Sequence, residues 1–134
     1  MDLKNFAPSA DTLEVTLRHP GNGEPLLNEG KDEEMTITVA LPHSKAYKKV
    51  LYGITDKNLK TAQANPDKVK TSQYLADVSL ELVSGITLSW DITLDGKCPK
   101  LTQSKAKEIY EEYPWIKTQV EKAVEAQVNF TLAS

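Results

Sequence analysis

The sequence predicts an α+β fold, with an N-terminal antiparallel β-hairpin that carries a long loop, followed by a mainly α-helical bundle of about four helices. Two observations lead to this prediction. Apolar residues alternate with polar ones in two early runs, whereas later apolar residues recur every three or four positions. The length of 134 residues and the 40% hydrophobic fraction are typical of one soluble globular domain. We divide that domain into a β-hairpin region (1–42) and a helical region (43–134).

The hairpin prediction rests on two runs with a period of two: Leu13, Val15 and Leu17, and then Met35, Ile37, Val39 and Leu41. The loop between them, 19–34, has sixteen residues rich in turn formers and acids, which is long for a hairpin connection. Loops of this length either bind partners or are mobile, and the sequence leaves both open. Because an isolated pair of strands is marginal in water, helices must cover its apolar face.

Two further helices are predicted in the middle of the chain. Ser44 is a good N-cap for a helix that begins at Lys45, and Gly53 predicts a bend or an early end of that helix. A second helix opens at 66–67, after the Asn65-Pro66 break, and stops at 84–85. The stretch 86–98 is predicted to be irregular, with short extended pieces and a turn at Asp95-Gly96.

Two helices that meet at Pro114 are predicted to end the chain. Thr102 or Ser104 can cap the first of them, and the fixed φ of Pro114 suits the first turn of the next. The last helix carries a stripe with Trp115 and Phe130 at its ends and branched residues at four-residue spacing: Ile116, Val120, Val124 and Val128. Either the helix predicted over 67–84 covers this stripe, or another copy of the chain does.

Charge is distributed unevenly along the chain, although the net charge is only −3. Residues 1–34 hold eight acidic and three basic side chains, a net charge of −5, and residues 35–70 hold seven lysines against Asp56 and Asp67, a net charge of +5. Such a dipolar chain favours head-to-tail self-association, and solvated faces explain the pattern equally well. The single Cys98 excludes an intrachain disulfide and favours a reducing compartment, so a cytoplasmic location is expected.

No catalytic, cofactor-binding or metal site is predicted, and an enzyme is not expected. His19, His43 and Cys98 lack sequence neighbours at ligand or nucleophile spacing. The lysines of 45–70 have tyrosines nearby, a combination that can bind single strands, but the chain has only one arginine, Arg18. Neither nucleic acid nor a membrane is therefore expected as a partner.

Taken in order, these elements resemble the tail assembly chaperones of lambda-like long-tailed bacteriophages and prophages. The resemblance covers nearly the whole chain as an order of elements. Its most recognisable local pieces are SWDITLDGK around Trp90 and YPWIKTQV before Asn129-Phe130. The resemblance assigns no family role to the long loop or to Cys98.

The resemblance implies a non-enzymatic adaptor that forms a ring or spiral of copies, coats the tape measure protein and recruits tail tube subunits in the host cytoplasm. The alternative is a generic phage binding or regulatory module that uses the lysine-rich 45–70 face, with nucleic acid as a candidate partner. Trp and Tyr are frequent interface hot spots. We therefore predict the partner or oligomer interface on the last two helices, at Tyr113, Trp115, Ile116, Val120, Val124 and Phe130.

Overall fold

The computed structural model describes residues 10–30 and 32–133, with the backbone alone for 130–133, and it confirms the predicted α+β fold. Residues 1–9 of the predicted hairpin region lie outside the described residues. The described elements are β1 (Thr12–Thr16), β2 (Thr36–Ala40), α1 (Lys45–Ala64), a 3-10 turn (Lys68–Lys70), α2 (Ser72–Ile86), β3 (Thr87–Asp91), α3 (Gln103–Glu112) and α4 (Pro114–Ala133).

The sheet has three antiparallel strands in the order β1-β2-β3, so the predicted hairpin gains a third strand. Ile37 in the central strand pairs with Val15 on one side and with Trp90 on the other. The short extended piece and the turn predicted within 86–98 are present, as β3 and as a turn at Asp95-Gly96 closed by the Leu94–Lys97 bridge. The pairing of β3 with β2 was not predicted. The pairing with β2 skips Leu88, so β3 carries a bulge between Ser89 and Thr87.

The long loop is ordered in its described part. Backbone hydrogen bonds join Leu17, Leu26 and Met35 in a ring of three, so the loop folds back onto the ends of β1 and β2. Asn28 is buried at 5% exposure and accepts a 2.7 Å hydrogen bond from the Thr93 hydroxyl, beyond the end of β3. This contact fastens the loop to the sheet.

Helix α1 continues past Gly53 to Ala64, so the helix does not end early at Gly53. The helix gains more from packing on α2 than the roughly 1 kcal/mol that glycine costs. The following helix starts later than predicted, at Ser72 with Thr71 as its N-cap, and it runs through Gly85 to Ile86. A Cβ on Gly85 would lie 2.6 Å from Val50 Cγ1 of α1. Gly85 is therefore a point of close helix approach rather than a helix stop.

The last two helices begin where the sequence predicts. The Thr102 hydroxyl accepts a hydrogen bond from the Lys105 amide and caps α3, and Pro114 opens α4. Buried side chains from the inner face of the sheet, α2, α3 and α4 form one core: Val15, Leu17, Ile37, Val39, Ala40, Val83, Ile86, Ile92, Ala106, Ile109, Tyr110, Ile116 and Val120. Helix α1 lies outside this core and packs mainly on α2.

Candidate functional site

The apolar side chains of α4 become more exposed from the start of the helix toward its end. Ile116 and Val120 are buried at 7% and 0% exposure, whereas Val124 and Val128 are half-buried. A helix of 20 residues is about 30 Å long, and the core covers only its first half. The valine stripe thus continues past the core onto the surface.

A groove runs beside this half of α4, with a volume of about 370 Å³. We call it the α4 groove. Its floor and walls come from the start of α1, the end of α2 and the valine stripe: Pro42, Tyr47, Leu82, Val83, Ile86, Val120, Val124 and Val128. Glu121, Glu125 and Asn129 also line it. Burial in these apolar surroundings raises the pKa of the Tyr47 phenol.

Polar contacts fix α4 in place and thereby set the shape of the groove. The Gln119 amide accepts a 2.9 Å hydrogen bond from the Arg18 amide and donates a 2.7 Å bond to the Arg18 carbonyl. Lys117 Nζ donates to the Ser79 hydroxyl of α2 at 2.8 Å and lies 3.0 Å from Glu121. Helix α4 is therefore held against both β1 and α2, and the groove is largely pre-formed.

The structure divides the predicted interface residues between two places. Tyr113, Trp115 and Ile116 line a separate apolar cleft of about 200 Å³ under the long loop, together with Leu17, Leu26, Met35, Ile92, Thr93, Leu94 and Ile109. We call it the corner cleft. Val120 and Val124 line the α4 groove instead. The Phe130 side chain lies outside the described residues.

The predicted interface residues differ in how deeply they are buried. Ile116 and Val120 belong to the core of this chain, and Val120 also lines the floor of the α4 groove. Val124 lies in the groove, while Tyr113 and Trp115 pack half-buried against the core. Sequence reasoning missed the opposite wall of the groove: Tyr47 and Leu82 showed only as apolar helix positions. Gln119, which orients α4, gave no signal in the sequence at all.

The two most recognisable sequence pieces meet in the corner cleft. Ile92, Thr93 and Leu94 come from SWDITLDGK, and Trp115 and Ile116 come from YPWIKTQV. Comparison with protein-family models, curated proteins and solved structures gives no match for this chain.

Within the described residues, no group of three or more His, Cys, Asp or Glu side chains could hold a metal ion. His19 Nδ1 accepts hydrogen bonds from the Gly21 and Asn22 amides, which ties down a turn, and His43 lies 3.1 Å from Asp11 at the surface. Cys98 is exposed. In the same part of the chain, no helix is long and apolar enough to cross a membrane.

Proposed function

We propose that this chain is a phage tail assembly chaperone: a non-enzymatic, self-associating adaptor that coats the tape measure protein and recruits tail tube subunits in the host cytoplasm. The resemblance of the sequence supports this proposal, and the open, aliphatic α4 groove is the observation that carries it. A tape measure protein of the kind such chaperones coat is long and coiled-coil-prone, so it exposes helices with an apolar stripe. An amphipathic helix of that kind lies naturally in a hydrophobic groove.

The chemistry of the groove matches such a helix. Its walls offer branched aliphatic side chains and one neutral phenol, Tyr47, which suit leucine and valine side chains spaced along a helix face. Glu125 and Asn129 at the groove offer polar partners for residues that flank the stripe. We therefore assign the groove to the helical client and leave the corner cleft to the chain's own packing.

The test is co-expression with the tape measure protein of the same phage, followed by co-purification. We expect the wild-type chain to retain the tape measure protein and keep it soluble. The Val128→Asp variant should retain much less tape measure protein. Val128 is half-buried at the end of the stripe, and an aspartate there would lose its hydration when the client covers it, which costs free energy. Ala126→Asp is the matched control, since Ala126 is exposed on the same turn and outside the groove.

A second candidate function is a nucleic-acid adaptor, favoured by Tyr52. This side chain is 60% exposed on α1 and stands among exposed lysines, including Lys48 and Lys49. A ring over a basic surface can stack on bases. Affinity for a single-stranded oligonucleotide that falls steeply with salt, together with no retention of a tape measure protein, would favour this function instead.

A further inference from the structure

The outer face of α1 carries lysines and exposed apolar side chains at helical spacing. We call it the basic face: Lys45, Lys48, Lys49, Tyr52 and Leu59, at i, i+3, i+4, i+7 and i+14. Tyr52 and Leu59 are 60% and 58% exposed, which is unusual for two large apolar residues on one helix face. Within the described part of the chain, none of the three lysines forms an ion pair.

The opposite side of α1 explains why this face points outward. Val50, Asn58 and Lys57 face α2, where Val50 packs against Gly85, Asn58 bonds to the Tyr74 hydroxyl and Lys57 pairs with Glu81 at 3.5 Å. Helix α1 therefore packs mainly on α2, and Tyr47 near its start also packs against the core. The basic face is the outermost surface of the molecule on this side.

The complementary charge lies on another layer of the same chain. The loop 19–34 holds five acids and one lysine and belongs to the sheet, so we call it the acidic loop. Glu24, Glu29, Asp32 and Glu33 are exposed and, among the described residues, form no ion pair. Leu27, at 52% exposure, adds an apolar contact to the same loop.

The described part of the acidic loop, which leaves out residue 31, is held by backbone and side-chain hydrogen bonds. Gly23 and Gly30 have φ of 75°, which turns the chain back at two places, and backbone hydrogen bonds join His19 to Glu24 and Asn28 to Glu33. The buried Asn28 side chain then fixes the loop to the sheet. A pre-organised surface loses little conformational entropy when it binds.

We propose that the basic face of one copy binds the acidic loop of the next, head to tail. Two identical basic faces would repel each other, so the basic face pairs with a different surface of the next copy, the acidic loop. A heterologous contact leaves one free surface at each end, and it closes into a ring or continues as a spiral. This inference names the two surfaces through which the chain would self-associate, and it rests on the self-association in the proposed function. It does not rest on client binding, because the α4 groove takes no part in the contact.

Charge complementarity favours a second copy over nucleic acid as the occupant. The chain has a net charge of −3 and a single arginine, so a polyanion meets repulsion from most of the surface. A second copy instead supplies carboxylates and Leu27 together, which match both the lysines and the exposed Tyr52 and Leu59.

The first experiment measures mass against protein concentration by analytical ultracentrifugation. At low salt the average mass should rise well above 14.9 kDa, and at 1 M salt it should fall to that of the monomer. The reason is that the Debye length shrinks from about 10 Å at 0.1 M to about 3 Å at 1 M. A strict monomer at high concentration and low salt would overturn the proposal.

Two charge-reversed variants make the test specific. Lys48→Glu with Lys49→Glu removes the basic face, and Asp32→Lys with Glu33→Lys removes the acidic loop. Each variant alone should be monomeric, with affinity reduced about a hundredfold or more, since like charges then face each other. Mixed together, they retain one intact pair of surfaces and should form a discrete heterodimer of twice 14.9 kDa.

Matched controls separate this outcome from general charge effects. Lys100→Glu with Lys122→Glu changes the total charge equally at two exposed lysines elsewhere and should leave assembly intact. Circular dichroism checks that every variant is folded. A mixture that stays monomeric, or assembly that survives reversal of the basic face, contradicts the proposal. Binding of a poly-dT oligonucleotide to the basic face of a chain that stays monomeric also overturns it.

Retention of a tape measure protein by the basic-face variant distinguishes the two proposals. If the variant still binds the client, the groove functions without the head-to-tail contact. If the wild type assembles and binds no client, the proposed function fails and the interface stands.

Discussion

Replacement of glycine by alanine is expected to have opposite effects on stability at Gly85 of α2 and at Gly53 of α1. At Gly85 an added Cβ would lie 2.6 Å from Val50 Cγ1, whereas at Gly53 it would meet nothing within 4 Å. Val50 is β-branched, and such a side chain in a helix has one strongly preferred rotamer, so it cannot turn away cheaply. Gly85→Ala must therefore push α1 and α2 apart, and Gly53→Ala has no such cost.

The magnitudes follow from these contacts. Alanine in place of glycine in a helix stabilises by up to about 1 kcal/mol, so Gly53→Ala should raise the free energy of unfolding by about that amount. Overpacking a tight contact costs about 1–3 kcal/mol. Gly85→Ala should therefore be about 1–3 kcal/mol less stable than Gly53→Ala, and at or below the stability of the wild type.

Urea unfolding of the wild type, both single variants and a Val50→Ala background measures these values. In that background the Cγ atoms are gone, so Gly85→Ala should lose its penalty and become neutral or stabilising. Equal stabilisation by Gly53→Ala and Gly85→Ala in the wild-type background would refute the close approach of α1 and α2. A penalty at Gly85 that persists without the Val50 side chain would refute its cause.

Further predictions concern buried hydroxyl groups. Ser84 Oγ is buried with no hydrogen-bond partner among the described residues, so Ser84→Ala should raise the free energy of unfolding by roughly 0.5–1 kcal/mol in urea. Thr87→Val should lower it by about 1–3 kcal/mol, because the Thr87 hydroxyl bonds to the Val83 carbonyl and to the Tyr110 hydroxyl. Burial raises the pKa of Tyr110 from 10.0 to about 12, against a smaller lowering by the Thr87 hydrogen bond. As the pH rises, the Tyr110 phenol therefore loses its proton in the unfolded chain before it does so in the folded chain. The free energy of unfolding should fall by up to about 2.7 kcal/mol between pH 10 and 12. The Tyr110→Phe variant should not show this fall.

Local signals predicted much of the fold because they lie within a few residues of what they determine. Ser44 and Thr102 accept hydrogen bonds from the amides three residues later, and Pro114 opens α4. The two β-runs pair with their apolar residues on one face. Each of these features needs no knowledge of distant parts of the chain.

The features that the sequence did not predict depend on contacts between residues far apart in sequence. Strand β3 pairs with β2, about fifty residues earlier, and its alternation of Leu88, Trp90 and Ile92 does not say which strand it pairs with. The order of the acidic loop depends on the Asn28 contact with Thr93, 65 residues away. From the sequence alone, Gly85 indicates the end of a helix. Its role as a point of close approach becomes visible only from its contact with Val50.

The candidate site was predicted in part for the same reason. Periodicity placed the valine stripe on one face of α4 but could not tell which valines the chain itself buries. Val120 is buried in the core of its own chain, Val124 packs half-buried against that core, and Val128 lines the groove beyond it. The second wall, at Tyr47 and Leu82, comes from two helices whose positions only tertiary packing determines.

Amide hydrogen exchange, on the chain alone and with the tape measure protein bound, tests the central claim most directly. The account predicts new protection at the end of α4, over 120–129, and at the start of α1 around Tyr47, with little change in α3. Protection confined to the sheet, or a folded chain whose exchange is unchanged when the tape measure protein is added, would contradict the assignment of the α4 groove to a helical client.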